Sequence, residues 1–229
     1  LYLEPLLLMP LNDNFIYLPP QDPLEMIYED EDLVVINKPA GLLSVMGRLP
    51  EHQDSAYLRV LAQYPSAKVT HRLDRATSGL LMSAKHRDAE VAISKMFQAR
   101  TVKKYYVALV QRQIQQDGSV EVPLITDWEN RPRQMVHFEL GKPAKTLFQS
   151  IEYDVTTDQS RVRLEPVTGR SHQLRVHMMH IGHPIMGDKL YHPEPAKFHF
   201  QRMALHATYL AFQHPLKQSA IELESVVPF

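Results

Sequence analysis

Short apolar and alternating runs recur along this chain and predict a protein built mainly of strands. Residues 33–37 form a β-branched apolar run, which is typical of a short buried strand. The same reading predicts further strands at residues 79–84, 105–110, 118–124, 134–140, 145–153, 161–166, 206–212 and 220–226. Residues 158–160 read as a turn between two of them.

Helical patterns are fewer. Residues 55–63 predict one helix. A second is amphipathic, because its apolar residues recur at i, i+3, i+4, i+7 and i+8 and so share one face: Ala89, Ala92, Ile93, Met96 and Phe97. Many strands with few helices predict an α+β fold with a mostly antiparallel sheet.

A third helix is expected after Arg170. Ser171 can accept hydrogen bonds from the free N–H groups at its start. Leu174, Met178 and Ile181 follow at i, i+4 and i+7 and should face the core. Gly182 is the kind of residue that ends a helix.

The chain divides near a proline-rich segment, residues 19–23, which predicts an extended linker. We expect an N-terminal extension at 1–19 and one domain at 20–229. The chain has no cysteine, which excludes disulfides, thiolate nucleophiles and cysteine-based zinc sites and suits a reducing cytoplasm. No apolar run approaches the roughly 20 residues that a membrane helix needs, so no membrane association is expected.

Charge is distributed unevenly along the chain. The whole protein has 25 Lys and Arg against 26 Asp and Glu. Eight of the acids and none of the bases lie in residues 1–32, which leaves 25 bases and 18 acids in the rest. Residues 68–104 hold nine bases and three acids. This window is therefore the expected phosphate-facing surface, although a charge run alone is more often a solvated face.

The segment HRLDRATSG at 71–79 surrounds one carboxylate, Asp74, with cations. Nearby positive charge favours the ionised form of a carboxylate. An ionised Asp in a basic cleft suits either a salt-bridged scaffold or chemistry on a polyanion.

Three other segments accompany it in a set order: VINKPAGL at 35–42, KKYYVA at 103–108 and TGRSHQLRVH at 168–177. With 71–79 they resemble the four blocks of the RluA-type pseudouridine synthases. That resemblance is strongest to the small branch acting on stem-loops of 23S ribosomal RNA and transfer RNA. It implies a mixed, mostly antiparallel central sheet with flanking helices and an RNA-binding cleft.

The resemblance also implies a reaction: uridine in RNA is isomerised to pseudouridine. This breaks the C1′–N1 bond and rejoins the base through C5 without redox change or loss of a group, so no cofactor or metal is expected. RNA is the expected partner. We further expect a monomer without an obligate protein partner and without a separate S4-like RNA-binding domain.

Specific residues inherit roles from this resemblance. Asp74 is the expected catalytic carboxylate, acting either as a nucleophile or as a base at C2′. Tyr106 would stack on the uracil and transfer a proton. Strand alternation sends its neighbour Tyr105 to the opposite face, where we expect a core tyrosine. Arg175 would pair with Asp74, and Leu174 would form the apolar floor under the base.

Other residues are expected to bind RNA. Arg72 would enter the base stack in place of the flipped uridine, since base extraction needs such a substitute. The remaining expected RNA contacts are basic residues of the motifs, of which two, Lys38 and Arg170, could instead brace loops: Lys38, Arg75, Lys103, Lys104 and Arg170.

Three other readings are weaker. His172, His177, His180 and His183 resemble a metal cluster, but no nearby Cys, Asp or Glu completes a standard ligand set. A glycoside hydrolase would need a second acid facing Asp74, and the motif blocks contain none. A non-catalytic RNA-binding module of the same fold would be favoured had Asp74 or Tyr106 been replaced, and neither is.

Overall fold

A computed structural model describes residues 16–194 and 200–229. Three helices lie within these ranges: α1 (Ala56–Gln63), α2 (Arg87–Ala99) and α3 (Gln173–His180), with a 3-10 turn at Pro50–His52. The strands are β1 (Glu25–Glu29), β2 (Leu33–Lys38), β3 (Lys68–Val69), β4 (Ser78–Ala84), β5 (Lys103–Gln111), β6 (Gly118–Val120), β7 (Leu124–Thr126), β8 (Gln134–Val136), β9 (Thr146–Asp154), β10 (Gln159–Pro166), β11 (Leu205–Gln213) and β12 (Ala220–Glu224).

One large sheet organises the described residues. Its ten strands run in the order β1-β2-β4-β11-β5-β10-β9-β6, with β12 added beside β11 and β3 beside β4. The pairing of β11 with β4 is parallel, and the other recorded pairings in the sheet are antiparallel. β7 and β8 form a separate hairpin. The predicted α+β class and mixed, mostly antiparallel sheet are confirmed.

Strand β4 lies inside the sheet, between β2 and β11, and is buried along its whole length. Gly79, the second residue of β4, has a φ of +112°, and a Cβ there would collide with the carbonyl oxygen of Ala207. Only glycine therefore permits the close parallel approach of β4 and β11. This contact sets where the preceding loop, which carries Asp74, enters the sheet.

The helices pack as their periodicity predicted. α2 buries Ala89 and Ile93 against the core, with Met96 and Phe97 partly buried beside them. α3 packs Leu174 and Met178 into a second cluster with Ile181 at its edge. Both helices therefore turn an apolar face toward the core. Burial of this face stabilises the fold by about 25 cal/mol per Å² of apolar surface.

The start of α3 differs from the prediction. His172, not Ser171, is the N-cap, and it makes no side-chain cap hydrogen bond. The buried side chain of Gln173 holds this turn together instead, because its Oε1 accepts the N–H of Arg170 at 3.0 Å and its Nε2 donates to the carbonyl of Lys145 at 2.9 Å. Gly182 follows the helix with a φ of +82°, as predicted.

Two predicted strands are shorter than expected. The run 118–124 is split, because β6 ends at Val120 and the chain passes Pro123, which has no N–H, before β7 begins. In 134–140, β8 ends at Val136 and a turn follows, closed by the N–H of Gly141 on the carbonyl of His137 at 2.9 Å. Strands β1 and β3 were not predicted.

The predicted extension at 1–19 falls mostly outside the described residues. Tyr17, within it, is packed on the body: its hydroxyl donates to the carbonyl of Asp54 at 2.7 Å and accepts the N–H of Leu43 at 3.0 Å. Between 16 and 194 and from 200 onward, no helix has the length and apolar character needed to cross a bilayer.

Candidate active site

A cleft of about 560 Å³ opens beside the sheet and collects residues from three of the four motifs. One wall is the loop before β4, the floor includes β5, and the other wall runs from the end of β10 into α3. Of the predicted site residues, these line it: Arg72, Asp74, Lys103, Lys104, Tyr106, Arg170, Leu174 and Arg175.

The loop that carries Asp74 is held from below by the VINKPAGL segment and the residues after it. The Ser44 hydroxyl donates to the carbonyl of Leu73 at 2.7 Å and accepts its N–H at 3.0 Å. The N–H of Gly41 donates to the carbonyl of Arg75 at 2.8 Å. The backbone on both sides of Asp74 is therefore fixed, so the carboxylate is presented from a rigid loop.

Lys38 belongs to this support and not to an RNA surface, so of its two predicted roles the RNA contact is wrong and the bracing of a loop is the one observed. Its side chain is fully buried, and its Nζ donates to the carbonyls of Pro39 at 2.9 Å, Leu42 at 2.7 Å and Arg75 at 3.3 Å. Burial lowers the pKa of Lys38 to about 7, against the opposing attraction of Asp74. A group so enclosed braces the Asp74 loop.

Arg175 is buried, with about 4 % of its surface exposed, and it serves two carboxylates. Its Nη1 lies 3.3 Å from Oδ2 of Asp74, so the predicted ion pair is present. Its Nε and Nη2 each lie 2.7 Å from an oxygen of Asp188, which makes a short bidentate pair. The main partner of Arg175 is thus Asp188.

Asp188 was not predicted. Its carboxylate also accepts the N–H groups of Leu190 at 2.9 Å and Tyr191 at 3.2 Å, while the Arg175 guanidinium lies 4.9 Å from the Tyr191 ring centre. Gly187, just before it, has a φ of +73° and no room for a Cβ beside the Arg202 carbonyl. The GDKLY run at 187–191 offered a turn signal, but nothing in it indicated Arg175 as a partner.

Tyr106 forms part of the cleft floor with Leu174, as predicted. Burial raises the pKa of its hydroxyl, and the charge of Asp74 raises it further. Tyr105 does lie on the other face, where it stacks on Tyr209 with ring centres 5.2 Å apart. It is only half-buried there, next to the Arg163 guanidinium, so the expectation of a core tyrosine was wrong.

Basic side chains border the cleft, although not all that were predicted. Arg72 is exposed, with its Nη2 3.4 Å from the Ser171 hydroxyl. Lys103 and Lys104 line the cleft from the start of β5, and burial lowers the pKa of Lys104. Arg75 is exposed and is not among the residues that line the cleft.

A second acid, Glu165, also lines the cleft. It lies near the end of β10, three residues before the TGRSHQLRVH block and therefore outside the four motifs. Its presence supplies a second acid in the cleft, which a two-carboxylate glycoside hydrolase would also need.

In the described part of the chain, one group could offer a metal three ligand atoms within 4.8 Å of one another, and it lies elsewhere: Asp30, Asp32 and His214. Nδ1 of His214 accepts the N–H groups of Leu216 and Lys217 at 3.2 and 2.9 Å. The ring proton must then sit on Nε2, 2.8 Å from Asp30, where a metal would have to bind. This group therefore suits a polar contact between two turns better than a metal.

Comparisons with known proteins identify relatives of this chain. The sequence model of a protein family, described as RNA pseudouridylate synthase, matches residues 32–180 of this chain. "Dual-specificity RNA pseudouridine synthase RluA" from Vibrio parahaemolyticus is 50% identical over 87% of this chain and 82% of its own length. The protein of that name from Escherichia coli K12 is 46% identical over 93% of this chain and 98% of its own.

Solved structures share the fold. The human RNA pseudouridylate synthase domain containing 1 superposes with a TM-score of 0.77 at 29% identity, covering 93% of this chain and 87% of its own. The human domain containing 4 gives 0.71 at 24% identity, over 89% and 88% of the two chains. The chain belongs to the RNA pseudouridylate synthase family, the isomerases that convert uridine in RNA to pseudouridine.

Proposed function

We propose that this enzyme modifies uridines in stem-loops of both 23S ribosomal RNA and transfer RNA, with Asp74 as its catalytic carboxylate. We propose two RNA substrates because relatives that are 46–50% identical to this chain are named dual-specificity RNA pseudouridine synthases. The observation that carries the role of Asp74 is its setting: a carboxylate 28% exposed to the cleft, on a rigid loop, with a cation 3.3 Å away.

Asp74 acts at the ribose of the target nucleotide, as a nucleophile at C1′ or as a base at C2′. Its ion pair with Arg175 keeps a positive charge beside the carboxylate without enclosing it. Tyr106 and Leu174 provide the apolar platform on which the detached uracil turns before it rejoins through C5. The C1′–N1 bond breaks and the bond to C5 forms within the same nucleotide. The chain's own residues therefore suffice, and no cofactor is needed.

Access to the uridine requires its extraction from the stem-loop, which costs a few kcal/mol. Arg72 is suited to fill the vacated stack because it is exposed at the cleft wall and close to Asp74 in the chain. Lys103, Lys104 and Arg170 border the same cleft and would neutralise phosphates around the extracted nucleotide.

Three further expectations belong to the proposal. Residues 20–229 act as the catalytic domain, and residues 1–19 form an extension of it. The enzyme works as a monomer without an obligate protein partner. It acts in the cytoplasm, where its RNA substrates are made and where a chain without cysteine loses nothing to reduction.

Tritium release tests the proposal directly. Formation of the C5 glycosidic bond expels the C5 hydrogen, so [5-³H]uridine-labelled 23S ribosomal RNA and bulk transfer RNA report the isomerisation itself. We expect release from both RNAs with wild type and from neither with Asp74→Asn. Release by Asp74→Asn would exclude Asp74 as the catalytic carboxylate, and release from one RNA only would reject the double range.

A further inference from the structure

His172 has a left-handed backbone conformation, which is unusual for a residue with a side chain. It precedes α3 with a φ of 54° and a ψ of 16°, in the left-handed region that residues other than glycine seldom adopt. Such residues cluster at functional sites. Here the strained backbone directs the imidazole into the cleft, where Nε2 lies 3.8 Å from Oδ1 of Asp74.

The hydrogen bonds behind the ring fix which nitrogen carries its proton. The hydroxyl oxygen of Tyr191 accepts the N–H of Gln134 at 2.7 Å. The same hydroxyl lies 2.7 Å from Nδ1 of His172, the partner left among the described residues to receive its hydrogen. Nδ1 therefore accepts, and the proton of a neutral imidazole sits on Nε2 and faces Asp74.

The charge states agree with this arrangement. Burial lowers the pKa of His172, although the neighbouring charge of Asp74 opposes the change, so the ring is neutral at pH 7. Burial also raises the pKa of Tyr191 to about 12, so its hydroxyl keeps the hydrogen that it donates. The cleft thus contains a fixed N–H donor beside a carboxylate acceptor.

The separation of donor and acceptor is informative. At 3.8 Å, Nε2 and Oδ1 are too far apart for a hydrogen bond to each other. One atom about 2.8 Å from both could bridge them if it accepted from the imidazole and donated to the carboxylate. A hydroxyl does both, whereas a phosphate oxygen or a uracil carbonyl can only accept.

We propose that His172 and Asp74 together bind the 2′-hydroxyl of the target ribose, which makes His172 a residue that selects RNA over DNA. This rests on the proposed function, because that function brings the ribose, and not the edge of the base, to Asp74. The 2′-hydroxyl is the group by which a protein distinguishes the two nucleic acids.

Binding of product RNA tests this without turnover. Two stem-loops are needed, identical except for pseudouridine or 2′-deoxypseudouridine at the target position. Wild type is compared with His172→Asn, since Asn tolerates the left-handed conformation but its short amide cannot span the gap. A second variant, Tyr191→Phe, keeps the imidazole and removes only the hydroxyl that orients it. His180→Ala, an exposed histidine of α3 outside the cleft, is the matched control.

We expect wild type and His180→Ala to bind the ribose form at least about fivefold more tightly than the deoxy form, as for one hydrogen bond. His172→Asn should weaken binding of the ribose form by about that factor and change the deoxy form less than twofold. Tyr191→Phe should give a smaller loss of the same kind. Equal losses on both RNAs, or no discrimination by wild type, would overturn the inference.

The proposed function fails by a different observation. Absence of tritium release from wild type would reject the isomerisation on those RNAs, whatever the product-binding result. Release by wild type with equal losses on both product RNAs would leave the function intact and reject only the role of His172.

Discussion

Arg175 lies between two aspartates that the protein treats differently. Asp188 is enclosed, with 1% of its side chain exposed, two contacts of 2.7 Å to the guanidinium and two backbone N–H donors. Asp74 is 28% exposed and meets the guanidinium through one contact of 3.3 Å. One carboxylate is saturated with donors, and the other retains accepting capacity toward the cleft.

This difference separates a structural carboxylate from a reactive one. A buried ion pair must satisfy all its partners, because an uncompensated buried charge is costly. Asp188 meets that demand and holds Arg175 in place. Asp74 can then change its charge or form a bond during the reaction without releasing the arginine, since the guanidinium has a permanent partner.

The largest expected effect on activity comes from Asp74→Asn. Turnover should be abolished, because the amide can serve neither as nucleophile nor as base, while RNA affinity should stay within a few-fold. The free energy of unfolding should change by no more than about 1 kcal/mol, as for other partly exposed pairs. Tritium release, filter binding and urea unfolding on the same preparation measure the three quantities.

Asp188→Asn should have the largest effect on stability. It removes the charge that compensates buried Arg175, and breaking a buried pair costs about 3–5 kcal/mol. Urea unfolding compared with Asp74→Asn tests this contrast. Should the two variants prove equally stable, the division into structural and reactive carboxylates would be wrong.

Lys38, buried beneath the Asp74 loop, extends the comparison from carboxylates to a buried amine. Burial lowers its pKa from 10.5 to about 7, so between these values the unfolded chain binds more protons than the folded one. Stability should therefore rise with pH through this window in wild type. Lys38→Met should lack that part of the rise, which unfolding series at pH 7 and pH 10 would measure. If the difference in unfolding free energy between wild type and Lys38→Met were the same at both pH values, the lowered pKa of Lys38 would be contradicted.

The smallest expected effects are those of Lys103→Ala and Lys104→Ala. Lys103 is exposed, so Lys103→Ala should leave stability nearly unchanged, whereas Lys104→Ala should cost a little more because Lys104 is partly buried beside the Phe97 ring. Each should reduce the slope of log affinity against log salt by about one, the value for one lost phosphate contact. Lys217→Ala, whose lysine pairs with Asp30 away from the cleft, serves as control. An unchanged slope would remove the residue from the RNA interface.

Local patterns predicted much of this protein. Periodicity located α2 and the strands β2, β4, β5 and β10, because a helix or strand shows its buried face through nearby residues alone. The motif blocks gave Asp74, Tyr106, Arg175 and Leu174, which the fold brings to one cleft. The sequence therefore determined the fold class, the family and the central residues of the candidate site.

Tertiary structure decided which charges are buried and with what partners. Lys38 became a brace because a carbonyl 37 residues away closes over it. Arg175 took Asp188 as its main partner, and His172 gained its orientation from Tyr191, through contacts that no spacing rule encodes. The physical reason is that the state of a polar group depends on its solvent exposure and its nearest donors, and both are set only when distant segments pack together.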